Sequence, residues 1–181
     1  MAKQRKNLLI VDGYNVLRSG SRYARITQPD YTDDTFNTAR EALINDVIDY
    51  AGRHTRAVIV FDGTFNEYSR GEVERIGGIQ IMFSPAGQSA DRVIEKLAYD
   101  ARERNIDTLV VTSDATVQDT VFGGVVARMS AEGFCREMAL HDEGVSVSTS
   151  PDRIRKNTVA SRIPADTLQK LKDLRDGTGG A

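Results

Sequence analysis

The sequence predicts an α/β fold with a central parallel sheet of about five strands flanked by helices. Three short apolar runs each end at an aspartate or a turn, and stretches with helical spacing lie between them. Continuous apolar runs of this length are typical of strands buried on both faces of a parallel sheet. The composition, with 40% hydrophobic and 28% charged residues, is typical of a globular domain. Strands that alternate with helices therefore predict a three-layer arrangement.

Five segments are predicted as strands. The three clearest are residues 8–11, 58–61 and 109–111, and weaker patterns occupy residues 79–83 and 125–127. Each clear run consists of Leu, Ile, Val or Phe and stops at a polar or glycine-containing turn. The segments that follow the first and second strands are predicted as loops.

Helices are predicted where apolar residues recur every three to four positions. Residues 34–53 and 89–104 carry such a pattern, and Ser89 is a suitable N-cap for the second helix. A shorter helix is predicted at residues 164–175. We therefore expect a main domain over residues 1–145 and a basic C-terminal extension with a short helix over residues 146–181.

Composition excludes several classes of protein. The 24 Lys and Arg against 26 Asp and Glu give a formal charge of -2, which excludes a strongly basic surface but not a local basic patch. The single cysteine, Cys135, excludes an internal disulfide and a cysteine-based zinc site. No apolar run reaches the ~20 residues of a membrane span, and the run at residues 8–11 is short for a signal peptide. We expect a soluble cytoplasmic protein without a membrane partner.

Three acids stand at the ends of the clear strand runs. They are Asp12, Asp62 and Asp114. If the first strand lies between the other two, these carboxylates share one edge of the sheet, on strands about 4.8 Å apart. Asp91, two residues after Ser89, can reach the same edge from the first turn of a helix.

Clustered carboxylates repel one another, so they require a counter-charge. A hard divalent cation such as Mg²⁺ prefers oxygen ligands, and the chemistry that follows is phosphodiester hydrolysis. Each acid also has a simpler interpretation. Asp12 and Asp62 could shape turns, Asp91 could stabilise a helix N-terminus, and Asp114 could start a helix.

Arginine and aromatic residues flank these acids in the sequence. The segment after the first strand carries Tyr14, Arg18, Arg22 and Arg25, and the segment after the second strand carries Arg70. Arginine can contact phosphates, and aromatic rings can stack on unpaired bases for ~1–3 kcal/mol each. These residues are predicted to bind RNA, although ordinary solvated loops would carry similar residues.

The motif Leu9–Val16, with the sequence LIVDGYNV, resembles the NYN domain of the PIN-like nuclease superfamily, in its bacterial YacP-type branch. Four later segments fit the same pattern in the same order. They are residues 60–63, 89–95, 111–118 and 122–130.

The resemblance implies a metal-dependent endoribonuclease with a PIN-like sheet whose first strand is central. On the family pattern, Asp12, Asp91 and Asp114 would carry Mg²⁺ or Mn²⁺. The polar residues that would support them by hydrogen bonding are Asn15, Ser113 and Gln118. Many PIN domains use a fourth acid, for which Asp62, Glu95 and Asp119 compete here.

The family also suggests partners. Bacterial relatives include a ribosome-associated enzyme that cuts messenger RNA, so mRNA and the ribosome are candidate partners. The alternative is a PIN-like module that binds RNA or the ribosome without cutting. The three intact acids count against that alternative, because a binding module has no need of clustered like charges.

Overall fold

The computed structural model describes residues 7–27, 33–63, 71–115, 117 and 123–142. The strands in these ranges are β1 (Asn7–Asp12), β2 (Thr55–Phe61), β3 (Val73–Ile76), β4 (Ile79–Phe83), β5 (Thr108–Val111) and β6 (Val126–Met129). The helices are α1 (Gly13–Ser19), α2 (Ser21–Thr27), α3 (Asp33–Ala51), α4 (Ala90–Glu103) and α5 (Ala131–Asp142). These residues all belong to one unit, Met1–Ser146.

The strands form one sheet in the order β3-β4-β2-β1-β5-β6. Five of them are parallel, and β1 pairs with β2 on one side and β5 on the other. The predicted α/β class and the central position of the first strand are therefore confirmed. The sixth strand, β3, is an antiparallel edge strand joined to β4 by Gly77-Gly78, whose φ values of 57° and 90° only glycine adopts readily.

The strand register brings the ends of the central strands level. Asp12 pairs with Val60, and Val11 pairs with Val111. The carboxyl ends of β1, β2 and β5 consequently meet along one side of the sheet, which we call the carboxyl edge. Helix α3 ends just before β2 begins, so its first half lies near the carboxyl edge and its last turn near the opposite edge.

Helices cover both faces of the sheet. Alternate residues of β1 point to opposite faces, so Leu9 and Val11 join a core with α1, α2, α3 and α5, whereas Ile10 joins a core with α4. All three β1 side chains are at most 1% exposed. Burial of such a side chain contributes roughly 1.5–3 kcal/mol. The apolar runs thus fix β1 as the centre of a three-layer fold.

Two predicted loops are corrected by the structure. Residues 13–27 form α1 and α2 rather than a loop, because Val16, Leu17 and Tyr23 are at most 2% exposed and anchor them on the sheet. Part of the segment after the second strand forms β3. Helix α5 was not predicted either. Its buried residues recur at helical spacing, and Ser130 accepts a hydrogen bond from the Gly133 amide at 3.0 Å, as an N-cap does.

Several predictions lie outside the described residues. They concern Arg70, Gln118, Asp119 and the whole extension over residues 146–181 with its helix at 164–175. Among the described helices, none combines the length and the apolar character that a bilayer-spanning segment requires.

Candidate active site at the carboxyl edge

Asp12 lies at the centre of the carboxyl edge. It is the last residue of β1 and the N-cap of α1, and it is 5% exposed. One carboxylate oxygen accepts a hydrogen bond from the Asn15 amide at 3.1 Å, and the other accepts one from the Thr112 hydroxyl at 3.1 Å. Asp12 therefore caps a helix, and this cap fixes its carboxylate in a buried position.

The pKa of Asp12 is raised from 3.8 to about 6, and burial is the largest cause. Within this net shift, the hydrogen bonds from Asn15 and Thr112 lower the pKa, while the negative charges of Asp91 and Asp114 raise it. Within the described ranges, no lysine or arginine forms an ion pair with Asp12. The ionised carboxylate is thus costly here, and a bound cation would stabilise it.

Asp91 occupies the first turn of α4, as predicted, after the N-cap Ser89. Burial raises its pKa, and neighbouring carboxylates raise it further. In decreasing order of effect, these neighbours are Asp114, Asp62 and Glu95. Acids from β1, α4 and the segments after β2 and β5 therefore share one electrostatic neighbourhood, although they are far apart in the sequence.

A hydrogen-bond network holds the segment after β5 against the start of α1. The Asn15 side-chain oxygen accepts from the Ser113 amide at 2.8 Å, and the Thr112 hydroxyl accepts from the Asp114 amide at 3.1 Å. The Ser113 hydroxyl accepts from the Ala131 amide at 3.0 Å. The Asn15 side chain and the Ser113 backbone thus contact each other beside Asp12, and the supporting roles that the family resemblance implies for them stay a prediction.

Two hydroxyl residues of the site were not predicted. Thr112 connects Asp12 to Asp114, as its hydroxyl donates to the first and accepts from the second. Ser84 is fully buried, donates to Asp62 at 3.4 Å and accepts from the Gly63 amide at 2.8 Å. A polar residue directly after an apolar run, as Ser84 follows Phe83, was the available sequence signal.

The donor chemistry of this edge fits a hard divalent cation, because carboxylate oxygens are the ligands that Mg²⁺ and Mn²⁺ prefer. The positions of these carboxylates fit a metal site less fully than their chemistry does. Within the described part of the chain, no three His, Cys, Asp or Glu side chains form a group that could hold one metal ion. The carboxylates are near enough to raise one another's pKa, yet they do not form a preassembled metal cage.

The predicted RNA-binding residues fall into different environments. Tyr14 is half-buried against Phe61, and the exposed Arg18 lies over its ring at 5.6 Å. Arg25 is exposed at the end of α2. Arg22 contacts carboxylates on α3 and α5, at 2.8 Å from Asp46 and 2.6 Å from Asp142, so it ties helices together.

This sheet order, with acids gathered at the carboxyl edge, defines the chain as an α/β protein with a mostly parallel sheet and an acidic candidate site at the carboxyl ends of its strands. The chain belongs to the YacP-like NYN domain family, whose model matches residues 9–176. Membership of this family supports an RNA nuclease. The match extends well beyond residue 145, so it includes most of the predicted extension.

Similar proteins from Bacillus subtilis agree with this assignment. The uncharacterized protein YacP of strain 168 is 29% identical over 163 residues, which cover 90% of this chain and 88% of YacP. The crystal structure of Rae1 (YacP) is 25% identical, with a TM-score of 0.58 and coverage of 96% and 98% of the two chains. The crystal structure of a mutant of Rae1, at 24% identity and a TM-score of 0.59, shares the fold over 92% of this chain and 99% of its own.

Proposed function

We propose that this protein is a metal-dependent endoribonuclease that hydrolyses phosphodiester bonds in single-stranded RNA. The observation that supports it is the buried Asp12 carboxylate, which has acids rather than cations for charged neighbours. Asp12, Asp91 and Asp114 would hold Mg²⁺ or Mn²⁺, with Asp62, Glu95 or Asp119 as a fourth acid. When bound, the cation would polarise the phosphoryl oxygen and lower the pKa of attacking water.

The surrounding residues have a positioning role in this proposal. Thr112 and the Asn15 amide fix both oxygens of Asp12, so that its lone pairs keep one orientation. The Asn15 side chain and the Ser113 backbone keep Asp114 beside the start of α1. Gln118, by the family pattern, would add a further hydrogen bond.

The finer assignments rest on family resemblance. Messenger RNA as substrate, the ribosome as partner and a cytoplasmic location are proposed on the likeness to the YacP-type branch. Arg18 and Arg25 are exposed and basic, which suits contact with RNA phosphates. Arg22 is a weaker candidate because two carboxylates already bind it.

The decisive experiment compares the wild type with Asp12→Asn and Asp49→Asn. Asp49 is exposed in the last turn of α3, near the opposite edge of the sheet, so it matches the charge change without touching the site. Labelled RNA, free and on translating ribosomes, is incubated with Mn²⁺ or with chelator. We expect Asp12→Asn to slow cleavage by about 10³-fold, which corresponds to several kcal/mol of transition-state stabilisation. Asp49→Asn should cleave normally.

A second readout does not depend on cleavage. Mn²⁺ should raise the melting temperature of the wild type and of Asp49→Asn, but not that of Asp12→Asn. Full activity in Asp12→Asn would refute the proposal. RNA retention without fragments, equal in Mn²⁺ and chelator on both substrates, would instead identify a non-catalytic RNA- or ribosome-binding module.

A further inference from the structure

An aromatic cluster lies beside the acids at the carboxyl edge. Its centre is a pair of stacked rings, Phe61 at the end of β2 and Phe83 at the end of β4, with centroids 5.6 Å apart and planes at 26°. The Tyr14 ring meets Phe61 edge-on at 5.2 Å. Phe61 is fully buried, whereas Tyr14 and Phe83 are half-buried. The cluster therefore joins the core to the protein surface at this edge.

Arg40 lies over this cluster from the first half of α3. Its guanidinium carbon is 5.5 Å from the ring centroids of both Phe61 and Phe83. Such contacts use the face of the guanidinium and do not occupy the five N–H donors in its plane. Within the described ranges no carboxylate pairs with Arg40, which is half-buried.

Arg22 shows what a purely structural arginine looks like in the same protein. It also lies against α3, yet its charge is neutralised by Asp46 at 2.8 Å and Asp142 at 2.6 Å. Arg40 has aromatic rings in place of these acids. The rings orient its guanidinium without neutralising the positive charge, which leaves the charge available to an anion.

Arg40 is also close to the acids. Phe61 precedes Asp62 in the chain, and a Cβ built at Gly13 would overlap the Phe61 ring. The Asp12–Gly13 backbone thus lies directly against the ring that supports Arg40. The acids repel the phosphates of an RNA strand that approaches them. A cation on the Phe61 ring would offset this repulsion and stabilise the strand there.

We propose that Arg40 binds a backbone phosphate of the RNA strand next to the acidic edge, with Phe61 and Phe83 holding its guanidinium in a fixed orientation. This inference rests on the proposed function for the identity of the ligand. It adds a substrate-binding residue on α3, a helix to which the sequence pattern assigned only a packing role.

The test measures RNA binding rather than cleavage. A fluorescent, unstructured single-stranded RNA is titrated with protein in chelator, from about 50 to 200 mM salt. Arg40→Gln should weaken binding roughly tenfold at the low end and reduce the salt slope by about one. Arg53→Gln, an exposed arginine beyond the end of α3 near the opposite edge, is the matched control and should bind as the wild type does.

Two further variants separate charge from packing. Arg40→Lys keeps the charge, so it should keep the salt slope while losing part of the affinity, since an ammonium lacks the planar fork. Phe83→Leu removes one supporting ring and should weaken binding less than Arg40→Gln, with the slope unchanged. Because both variants keep the charge, they also test the proposal if Arg40→Gln fails to fold.

An unchanged salt slope in folded Arg40→Gln would overturn the inference, as would an equal loss in Arg53→Gln or no RNA binding by the wild type. A salt slope in Arg40→Lys that falls by about one relative to the wild type would also overturn it. The chelator keeps this result distinct from the proposed function. A wild type that binds RNA through Arg40 but never cleaves it would refute the nuclease and leave the phosphate contact standing.

Discussion

Two carboxylates with little solvent exposure have opposite surroundings in this protein. Asp46, on α3, lies 2.8 Å from the Arg22 guanidinium and accepts a hydrogen bond from the buried Tyr23 hydroxyl at 2.6 Å. Asp12, at the carboxyl edge, accepts hydrogen bonds from uncharged donors on both oxygens. The negative charges of Asp91 and Asp114 disfavour its ionised form and raise its pKa. Asp12 is 5% exposed and the Asp46 side chain 12%, so the difference in exposure between them is small.

The difference lies in the charge that each carboxylate meets. A buried charge is costly unless it is paired, and the pair around Asp46 meets that requirement within the fold. The acids at the carboxyl edge instead combine burial with mutual repulsion, and helix capping by Asp12 does not require the other acids beside it. Titratable groups with such perturbed pKa values cluster at functional sites. The surroundings of Asp46 therefore explain it as a structural residue, whereas those of Asp12 fit the cation-binding role proposed for it.

The largest expected effect on stability is at Asp46. Asp46→Ala removes one of the two carboxylates around Arg22 and the acceptor of the buried Tyr23 hydroxyl, so the free energy of unfolding should fall by about 3 kcal/mol. Asp49→Ala, three residues further along the same helix and exposed, should change it by no more than about 0.5 kcal/mol. Denaturant unfolding of both variants measures this. Equal losses would mean that Asp46 has no special structural role.

Removal of the Asp12 carboxylate should have the opposite effect at high pH and raise the free energy of unfolding. The pKa of Asp12 rises from 3.8 to about 6 on folding, so the native state binds the proton more tightly than the unfolded state. The resulting stabilisation is fully present below about pH 4 and is lost as the pH rises through about 6. A pKa difference of this size corresponds to about 3 kcal/mol.

The measurement compares wild type and Asp12→Asn by denaturant unfolding in chelator from pH 4 to pH 8. The variant cannot ionise at this position, so it should be the more stable protein at pH 8 and nearly equal to the wild type at pH 4. Asn can still offer one oxygen to the Asn15 amide and an N–H to the Thr112 hydroxyl. If the wild type is no less stable than Asp12→Asn at pH 8, the ionised Asp12 carboxylate does not destabilise the fold. Asp12 and Asp46 would then not differ in their effect on stability.

The sequence predicted the parts of the fold that burial controls. The apolar runs at β1, β2 and β5 had a single consistent interpretation, because a strand covered on both faces tolerates only apolar residues. By contrast, β3 has an exposed edge and no apolar run to reveal it. Helices α1 and α2 are seven residues each, too short for a clear periodic pattern, and Gly20 separates them.

The placement of the acids was predictable where one acid directly follows one strand, and less so where partners are distant in the chain. Asp12 was recognisable from the end of β1. The pairing of Arg22 with Asp46 spans 24 positions and two helices, so the sequence placed Arg22 in an RNA-binding loop instead. Thr112 contacts Asp12 across 100 positions, and only the adjacent strands β1 and β5 bring them together.

Thr112 gives the smallest expected effect and the finest test of the contrast. Thr112→Val keeps the shape but removes the donor to Asp12 and the acceptor for the Asp114 amide, so the free energy of unfolding should fall by about 1–2 kcal/mol. Losing that donor should also raise the pKa of Asp12 further, which moves the stability transition to higher pH. RNA cleavage should slow by roughly tenfold, because the Asp12 carboxylate loses a fixed orientation.

Thr112→Ser retains the hydroxyl and separates hydrogen bonding from packing. It should restore the pH transition and most of the cleavage rate, even though it lacks the methyl group. If Ser and Val variants behave alike in both measurements, Thr112 acts through packing alone. In that case the orientation of the Asp12 carboxylate would depend on the Asn15 amide. The electrostatic difference between Asp12 and Asp46 would then owe nothing to the hydrogen bond from Thr112.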